Sequence, residues 1–179
     1  MNIFILDSNI EKNAQYYVDK HVTKIQVECW QMMSMVIREY TNNKDNYENE
    51  FSLLNKHSKS HANHPCTLWI KESWGNFMYV YELMEALTNE HIYRFNPKNV
   101  HLSYKKMIQF FESVSNDWIE NELKSKFKND DLMEFAIAIS NTEIVIESDP
   151  VQSYRNYYNV NKRHLHKWTK RETPYFIEV

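Results

Sequence analysis

The sequence is poor in the residues that shape tight turns. It has 179 residues but only one glycine and four prolines. Phosphate-binding loops and dinucleotide-binding fingerprints both need several glycines, so these two classes of nucleotide-binding protein are excluded. Few glycine-dependent turns are possible. The composition therefore favours helices joined by polar loops.

Cysteine and long apolar runs are also lacking. Cys29 and Cys66 are far apart and form no CxxC pair, so no zinc or redox motif is present. Cys29 falls in an apolar stripe and is predicted to be a small core residue. No run of about 18 apolar residues occurs, and no signal peptide precedes the domain. We therefore expect a soluble protein of the reducing cytoplasm, with no membrane partner.

Length and charge set further bounds. A chain of 179 residues can bury a real core, and we predict one domain over residues 1–179, with residues 41–61 as a polar loop. The formal net charge is −3, so the protein as a whole is not a polycation. Any nucleic-acid binding must come from a local basic patch.

The region around residues 16–28 carries two parallel rows at helical spacing. The first row is apolar and is predicted to face the core: Val18, Val22, Ile25, Cys29, Met32 and Val36. The row beside it holds polar and ionisable groups: Tyr17, His21, Lys24, Glu28 and Gln31. Such an edge can place a proton-transfer group next to a cation, close to a ligand. The alternative is a solvated face with a Lys24–Glu28 ion pair.

Capping signals predict where the helices lie in a mainly α-helical fold. Ser8 and Glu11 are spaced as a capping box, which predicts a first helix from near Ile10 to Arg38 or Tyr40. Pro65 opens a second predicted helix that ends near residue 95, before an Asn-Pro pair. A third helix is predicted over residues 103–123.

The last third of the chain is less regular. Residues 135–139 and 144–146 are short and rich in β-branched side chains. They predict either a minor hairpin or extended chain packed on helices, and the sequence leaves both open. Asp149 and Pro150 then begin a helix that is predicted to continue through His164.

A basic segment overlaps this predicted helix, and its net charge is positive although that of the whole chain is negative. Residues 151–171 contain no acid and six basic residues: Arg155, Lys162, Arg163, Lys167, Lys170 and Arg171. Aromatic residues are interleaved with them, namely Tyr154, Tyr157, Tyr158 and Trp168. This pattern suits phosphate neutralisation together with base stacking. The alternative is a solvated helix whose tyrosines pack on the core.

Two histidines precede the second predicted helix. His61 and His64 are spaced i, i+3 but lack a third partner in the sequence, so we expect no metal. His64, directly before Pro65, is predicted to act as a helix cap or as a phosphate donor.

Three stretches together resemble the pyrimidine-dimer DNA glycosylases of the phage endonuclease V type, and more closely a group of uncharacterised phage proteins related to them. The first is DKHVTK, at residues 19–24, which follows a short apolar run at residues 2–6 that is predicted to be extended or strand-like. The second is HPCT, at residues 64–67, leading into the second helix. The third is FAIAIS, at residues 135–140, followed by SYRNYY at residues 153–158.

The resemblance implies a specific chemistry. Family members use the α-amine of the chain terminus to attack C1′ of the damaged nucleotide, and β-elimination then cuts the strand. The amine must be uncharged, and a carboxylate beside it handles protons. The duplex is kinked and a base is flipped out. The implied partner is damaged double-stranded DNA in the host cytoplasm, with a monomeric protein and no cofactor.

This sequence departs from the family at its beginning. The family nucleophile is a small residue that methionine removal exposes, whereas Asn2 should leave Met1 in place. The candidate catalytic residues are therefore Met1, His21, Lys24 and Glu28, with Asp19 as the second choice for the carboxylate. The candidate DNA-binding residues are Lys20, His64, Tyr154, Arg155, Tyr158, Lys162, Trp168 and Arg171.

Two other functions fit the same residues. One is a phage nucleotide- or base-modifying enzyme that uses His21, Lys24 and Glu28 on a small substrate. The other is a non-catalytic nucleic-acid-binding module that uses the basic segment alone.

Overall fold

A computed structural model describes residues 2–41, 48–55 and 62–178, and this part of the chain is mainly α-helical, as predicted. The helices are α1 (Ile10–Tyr16), α2 (Asp19–Tyr40), α3 (Glu48–Phe51), α4 (Pro65–Glu72), α5 (Trp74–Phe95), α6 (Leu102–Ser113), α7 (Asn116–Trp118) and α8 (Pro150–Asn161). A π-helical turn, Ile119–Leu123, continues α7. The described residues include no β-strand.

Helix α2 lies at the centre of the fold. It packs against α4, α5 and α6, and α1 packs against α5. The predicted apolar stripe is confirmed, because all six of its members are buried. Burial extends beyond the stripe to Trp30 and Met33, since neighbouring helices cover more than one face of α2.

Residues 3–6 are buried although they belong to no helix or strand. Side chains satisfy their backbone groups instead. The Tyr17 hydroxyl accepts the Phe4 N–H at 2.9 Å and donates to the Phe4 carbonyl at 2.6 Å. The Leu6 N–H donates to Asn13 Oδ1 at 2.7 Å. These bonds let a segment outside any helix or sheet lie in the core, where an unpaired backbone group would be costly.

The predicted helix from residue 10 to residue 40 is two helices, because the chain is extended at Tyr17 and Val18. The fully buried Arg94 of α5 explains the break. Its guanidinium donates to the carbonyls of Gln15 and Tyr17, which otherwise lack partners at the end of α1. It also pairs with Asp19, at the start of α2, at 3.0 Å.

Three further helix boundaries differ from the predicted ones, because a small polar side chain caps a helix at each. Asn9, Ser73 and Ser115 each accept a hydrogen bond from the N–H three residues later. Asn9 rather than Ser8 therefore caps α1, so the capping-box prediction is wrong. Ser73 divides the predicted second helix into α4 and α5, and Ser115 separates α6 from α7.

Other boundaries agree with the sequence. Helix α5 ends at Phe95, with Asn96 in the left-handed region at φ 44°, and Asp149 caps α8. Helix α8 stops at Asn161, short of the predicted end, and a 3₁₀ turn, Arg163–Leu165, follows. Residues 135–146 form no hairpin, and several of their side chains pack on the core.

The predicted polar loop over residues 41–61 lies only partly within the described residues, because 42–47 and 56–61 fall outside them. Its described part contains α3, and Phe51 and Leu54 are buried against the core. No helix in the described part of the chain is both long enough and apolar enough to span a bilayer.

Candidate functional site

Glu28 holds the beginning of the described chain. Its side chain, on α2, is nearly buried, with 7% of the residue exposed. Glu28 Oε2 accepts the backbone N–H of Asn2 at 2.8 Å, and Oε1 pairs with Lys24 Nζ at 3.1 Å. Met1, the predicted nucleophile, lies outside the described residues. The structure thus brings Lys24 and Glu28 together beside Asn2.

The Asn2 side chain is fixed by three further polar contacts. Its Nδ2 donates to the Ala138 carbonyl at 2.9 Å. Its Oδ1 accepts from Cys66 Sγ at 3.3 Å and from the Tyr154 hydroxyl at 3.2 Å. Burial raises the pKa of Cys66 to about 11, so its thiol is neutral and can donate. We call Asn2, Lys24, Glu28, Cys66 and Tyr154 the Glu28 site.

Tyr154 belongs to this site as a buried anchor. Its hydroxyl accepts the Ala138 N–H at 3.0 Å and lies 2.9 Å from the Ala136 carbonyl. Burial raises the pKa of its phenol. Because the side chain is fully buried, its ring offers no face to a base in this structure. Its predicted contact with DNA therefore stays a prediction.

His21 lies beneath the surface. It is 4% exposed, its ring stacks on Phe4 at 4.7 Å between centroids, and its Nδ1 is hydrogen-bonded to the Tyr158 hydroxyl at 2.8 Å. The pKa of His21 is lowered to about 3, first by burial and then by nearby cations. The imidazole is therefore neutral at physiological pH. Tyr158 is fully buried too, and burial raises its pKa well above the ordinary value.

The cations that act on His21 come from two distant segments. They are Lys162, Lys24, Lys20 and His164, in order of decreasing effect. Lys20, Lys24 and His164 are exposed, and the Lys162 ammonium lies 4.9 Å from the centroid of the Tyr157 ring. We call these four residues the cationic rim. It is a local basic patch of the kind that the overall charge of −3 conceals.

Arg155, another predicted DNA contact, faces inward. Its Nε donates to the Leu6 carbonyl at 2.9 Å, and its guanidinium lies 3.6 Å from Asp7. The guanidinium carbon is also 4.9 Å from the centroid of the Phe176 ring. Arg155 thus ties α8 to the opening segment and to the C-terminal residues.

Trp168 and Arg171 are held by internal partners as well. The Trp168 indole donates to the Tyr16 carbonyl at 2.9 Å. Arg171 pairs with Glu90 at 2.8 Å, and its guanidinium carbon lies 4.2 Å from the centroid of the Tyr93 ring. Both residues attach the C-terminal segment to the helical core, and their DNA contacts stay predictions.

Asp19, the second choice for the carboxylate, is engaged elsewhere. It accepts the backbone N–H of Thr169 at 2.9 Å and the Thr169 hydroxyl at 2.7 Å, and it pairs with Arg94. Burial alone would raise the pKa of Asp19, but these hydrogen bonds outweigh burial and lower it. The carboxylate therefore fixes the C-terminal segment against the start of α2.

His64 caps α4, as the sequence suggested. Its Nδ1 accepts the N–H of Cys66, a member of the Glu28 site, at 3.2 Å. His61 lies outside the described residues. Within the described ranges, no group of three or more His, Cys, Asp or Glu side chains could hold a metal ion.

The chain matches no family model, no curated protein and no solved structure. The likeness to endonuclease V-type glycosylases therefore rests on the sequence stretches alone.

Proposed function

We propose that the protein is a DNA-repair glycosylase with associated AP-lyase activity, acting on damaged pyrimidines in double-stranded DNA. The observation that carries the proposal is the 2.8 Å hydrogen bond from the Asn2 N–H to Glu28. It ties the first residues of the sequence to a nearly buried carboxylate. The resemblance to endonuclease V-type glycosylases implies such a carboxylate beside the terminal amine.

The proposed nucleophile is the amine of Met1. In a chain that begins at Met1, this amine is three covalent bonds from the Asn2 nitrogen, or within about 4 Å. After losing a proton to Glu28, it attacks C1′ of the damaged nucleotide. The N–C1′ bond forms, and the glycosidic bond breaks as the base leaves with the bonding electrons. The C1′–O4′ bond then breaks as the nitrogen lone pair forms the C=N bond and a proton passes from nitrogen to O4′, which opens the sugar and leaves an imine. Loss of a C2′ proton from the resulting imine then expels the 3′ oxygen, with Glu28 as proton carrier.

Lys24 is the second amine on this carboxylate. Its ammonium pairs with Glu28 Oε1 at 3.1 Å, and its side chain is largely exposed. A lysine ammonium gives up its proton less readily than an α-ammonium, so a lysine is the poorer nucleophile near neutral pH. Lys24 therefore ranks behind Met1, and its proposed role is to bind a phosphate near the reacting sugar.

The cationic rim supports the choice of DNA as substrate. All four of its members contribute to the lowered pKa of His21, and Lys24 belongs to both the rim and the Glu28 site. Cations grouped in this way neutralise several backbone phosphates at once, and such binding does not depend on sequence. The rim would hold the strand while the Glu28 site acts on the sugar.

Strand scission on a duplex with a single abasic site tests the proposal. The parent protein is expected to give the β-elimination product. Glu28→Gln should slow scission by about 100-fold, the scale of a lost general acid–base, while leaving DNA affinity unchanged. Glu39→Gln is the matched control, because Glu39 lies on α2 as well and pairs with Lys71 at the surface.

Two outcomes would overturn the proposal. Binding of the duplex without scission would favour a non-catalytic nucleic-acid-binding module. Neither binding nor scission would favour an enzyme that acts on a small substrate.

A further inference from the structure

A cavity between the turn after α8 and the C-terminal residues combines positive charge with aromatic rings. Its volume is about 400 Å³, which is within the range of small-molecule sites. The lining residues that matter here are Arg163, His166, Lys167, Trp168, Arg171 and Glu178. We call it the C-terminal pocket. It shares no residue with the Glu28 site.

The aromatic wall of this pocket is held in place by backbone acceptors. His166 Nε2 donates to the Tyr158 carbonyl at 3.0 Å, and the Trp168 indole donates to the Tyr16 carbonyl at 2.9 Å. The two ring centroids are 5.0 Å apart. Both rings are already fixed and their planes are inclined at 48°, so a flat ligand can stack on one ring and contact the other with little loss of side-chain freedom.

The charges around the pocket favour an anion. Arg163 and Lys167 are exposed, and neither forms an ion pair with any residue that the structure describes. Arg171 adds a third cation, although Glu90 already pairs with it. Glu178 supplies a carboxylate to the lining, so cations outnumber acids by three to one within it. A ligand with a phosphate at one end would be attracted to Arg163 and Lys167.

We propose that the C-terminal pocket binds a nucleoside monophosphate. The phosphate contacts Arg163 and Lys167, and the base packs against His166 and Trp168. A free phosphate would leave the rings unused, and an uncharged aromatic ligand would leave the cations unused. The ligand is a base joined to a phosphate, either as a free mononucleotide or as one unit of a DNA strand. The pocket is separate from the Glu28 site and needs no lyase activity.

Isothermal titration calorimetry of the full chain with adenosine 5′-monophosphate tests this site. Saturable binding is expected, and adenosine without its phosphate should bind about tenfold more weakly, the scale of one charge-assisted contact. Arg163→Ala and Lys167→Ala should each weaken binding by a similar factor. Lys126→Ala removes an exposed charge outside the pocket and should bind like the parent.

Competition with a 5′-phosphorylated single-stranded oligonucleotide identifies the source of the ligand. Displacement of the mononucleotide by the oligonucleotide indicates a strand, and a failure to displace it indicates a free nucleotide; either result supports the pocket. Glu28→Gln is expected to bind adenosine 5′-monophosphate like the parent. No binding at millimolar concentration, or equal binding by the parent, Arg163→Ala and Lys167→Ala, would overturn the proposal.

Discussion

At the scale of single residues, Tyr154 joins three separate parts of the chain through one hydroxyl group. The hydroxyl contacts the backbone of Ala138 and Ala136 and the side chain of Asn2. None of these atoms is near Tyr154 in sequence. The position of Asn2 on Glu28 therefore depends on a residue of α8.

Tyr154→Phe is expected to lower the free energy of unfolding by about 1–3 kcal/mol, because it leaves the partly buried Ala138 N–H without its partner. Urea unfolding measures the change. Tyr93→Phe is the control, since the Tyr93 hydroxyl makes only an exposed 3.3 Å bond to the Lys170 carbonyl. Its effect should stay within about 0.5 kcal/mol. Equal losses in both variants would contradict the anchoring role of Tyr154.

His21 predicts how stability depends on pH. Its pKa is about 3 in the folded protein, against an ordinary value of 6.5. Between these values the unfolded chain binds a proton that the folded chain does not, so stability falls as pH falls. In the middle of this window, the parent should lose about 1.4 kcal/mol more per pH unit than His21→Gln.

Urea unfolding of the parent and His21→Gln, from pH 7 to pH 4.5, checks this prediction. Burial also lowers the pKa values of His91 and His101, but both residues are present in both proteins, so their contributions cancel. Parallel stability profiles would show that His21 titrates normally.

At the scale of helices, the boundaries marked by a proline were predictable, whereas those set by a small polar cap alone, such as Ser73 and Ser115, or by a distant partner were not. Asp149 with Pro150, and the Asn-Pro pair after α5, act through neighbouring backbone, and the sequence located both. The break after α1 depends on Arg94, 77 residues beyond Tyr17. No local pattern indicates such a contact.

The candidate site also contains residues that the sequence predicted and residues that only the packed structure shows. Lys24 and Glu28 lie one helical turn apart, so helical spacing alone paired them. Sequence reasoning did not identify Cys66 as part of the site, or Asn2 as the residue held by Glu28. Their contacts join residues 26 to 152 positions apart and become visible only when the helices are packed.

The backbone around Asp131 and Leu132 packs closely on α5 at Gly75. A Cβ at this position would lie 2.5 Å from the backbone of Asp131 and Leu132, closer than packed atoms approach. Gly75→Ala should gain at most about 1 kcal/mol of helix propensity and lose about 1–3 kcal/mol by overpacking. A net loss of stability is therefore expected in urea unfolding. Glu82→Ala, at an exposed position of α5, should not show this loss. A more stable Gly75→Ala protein would contradict the close contact.

At the scale of the whole molecule, positive charge is concentrated although the chain is acidic overall. Lys20 and Lys24 come from α2, and Lys162 and His164 come from the end of α8 and the turn after it. The sequence predicted that a basic patch must be local. It did not show that α2 contributes half of that patch, because this depends on how the two segments pack.

The salt dependence of DNA binding tests the cationic rim. Lys20→Ala and Lys162→Ala should each weaken duplex binding and reduce the slope of log affinity against log salt by about one. Lys126→Ala removes the same charge at an exposed site outside the rim and should leave the slope unchanged. Fluorescence anisotropy over a salt series gives the slopes. Identical slopes for all four proteins would mean that the rim does not contact phosphates.

Borohydride reduction in the presence of abasic duplex, followed by mass mapping of the trapped peptide, tests the central claim most directly. The claim is that an amine held at Glu28 forms a Schiff base with the sugar. It predicts a covalent adduct on Met1, greatly reduced in Glu28→Gln and retained in Glu39→Gln. An adduct on Lys24 would identify the nucleophile as the Lys24 amine, which pairs with the other oxygen of Glu28. No adduct, with the duplex still bound, would contradict the claim.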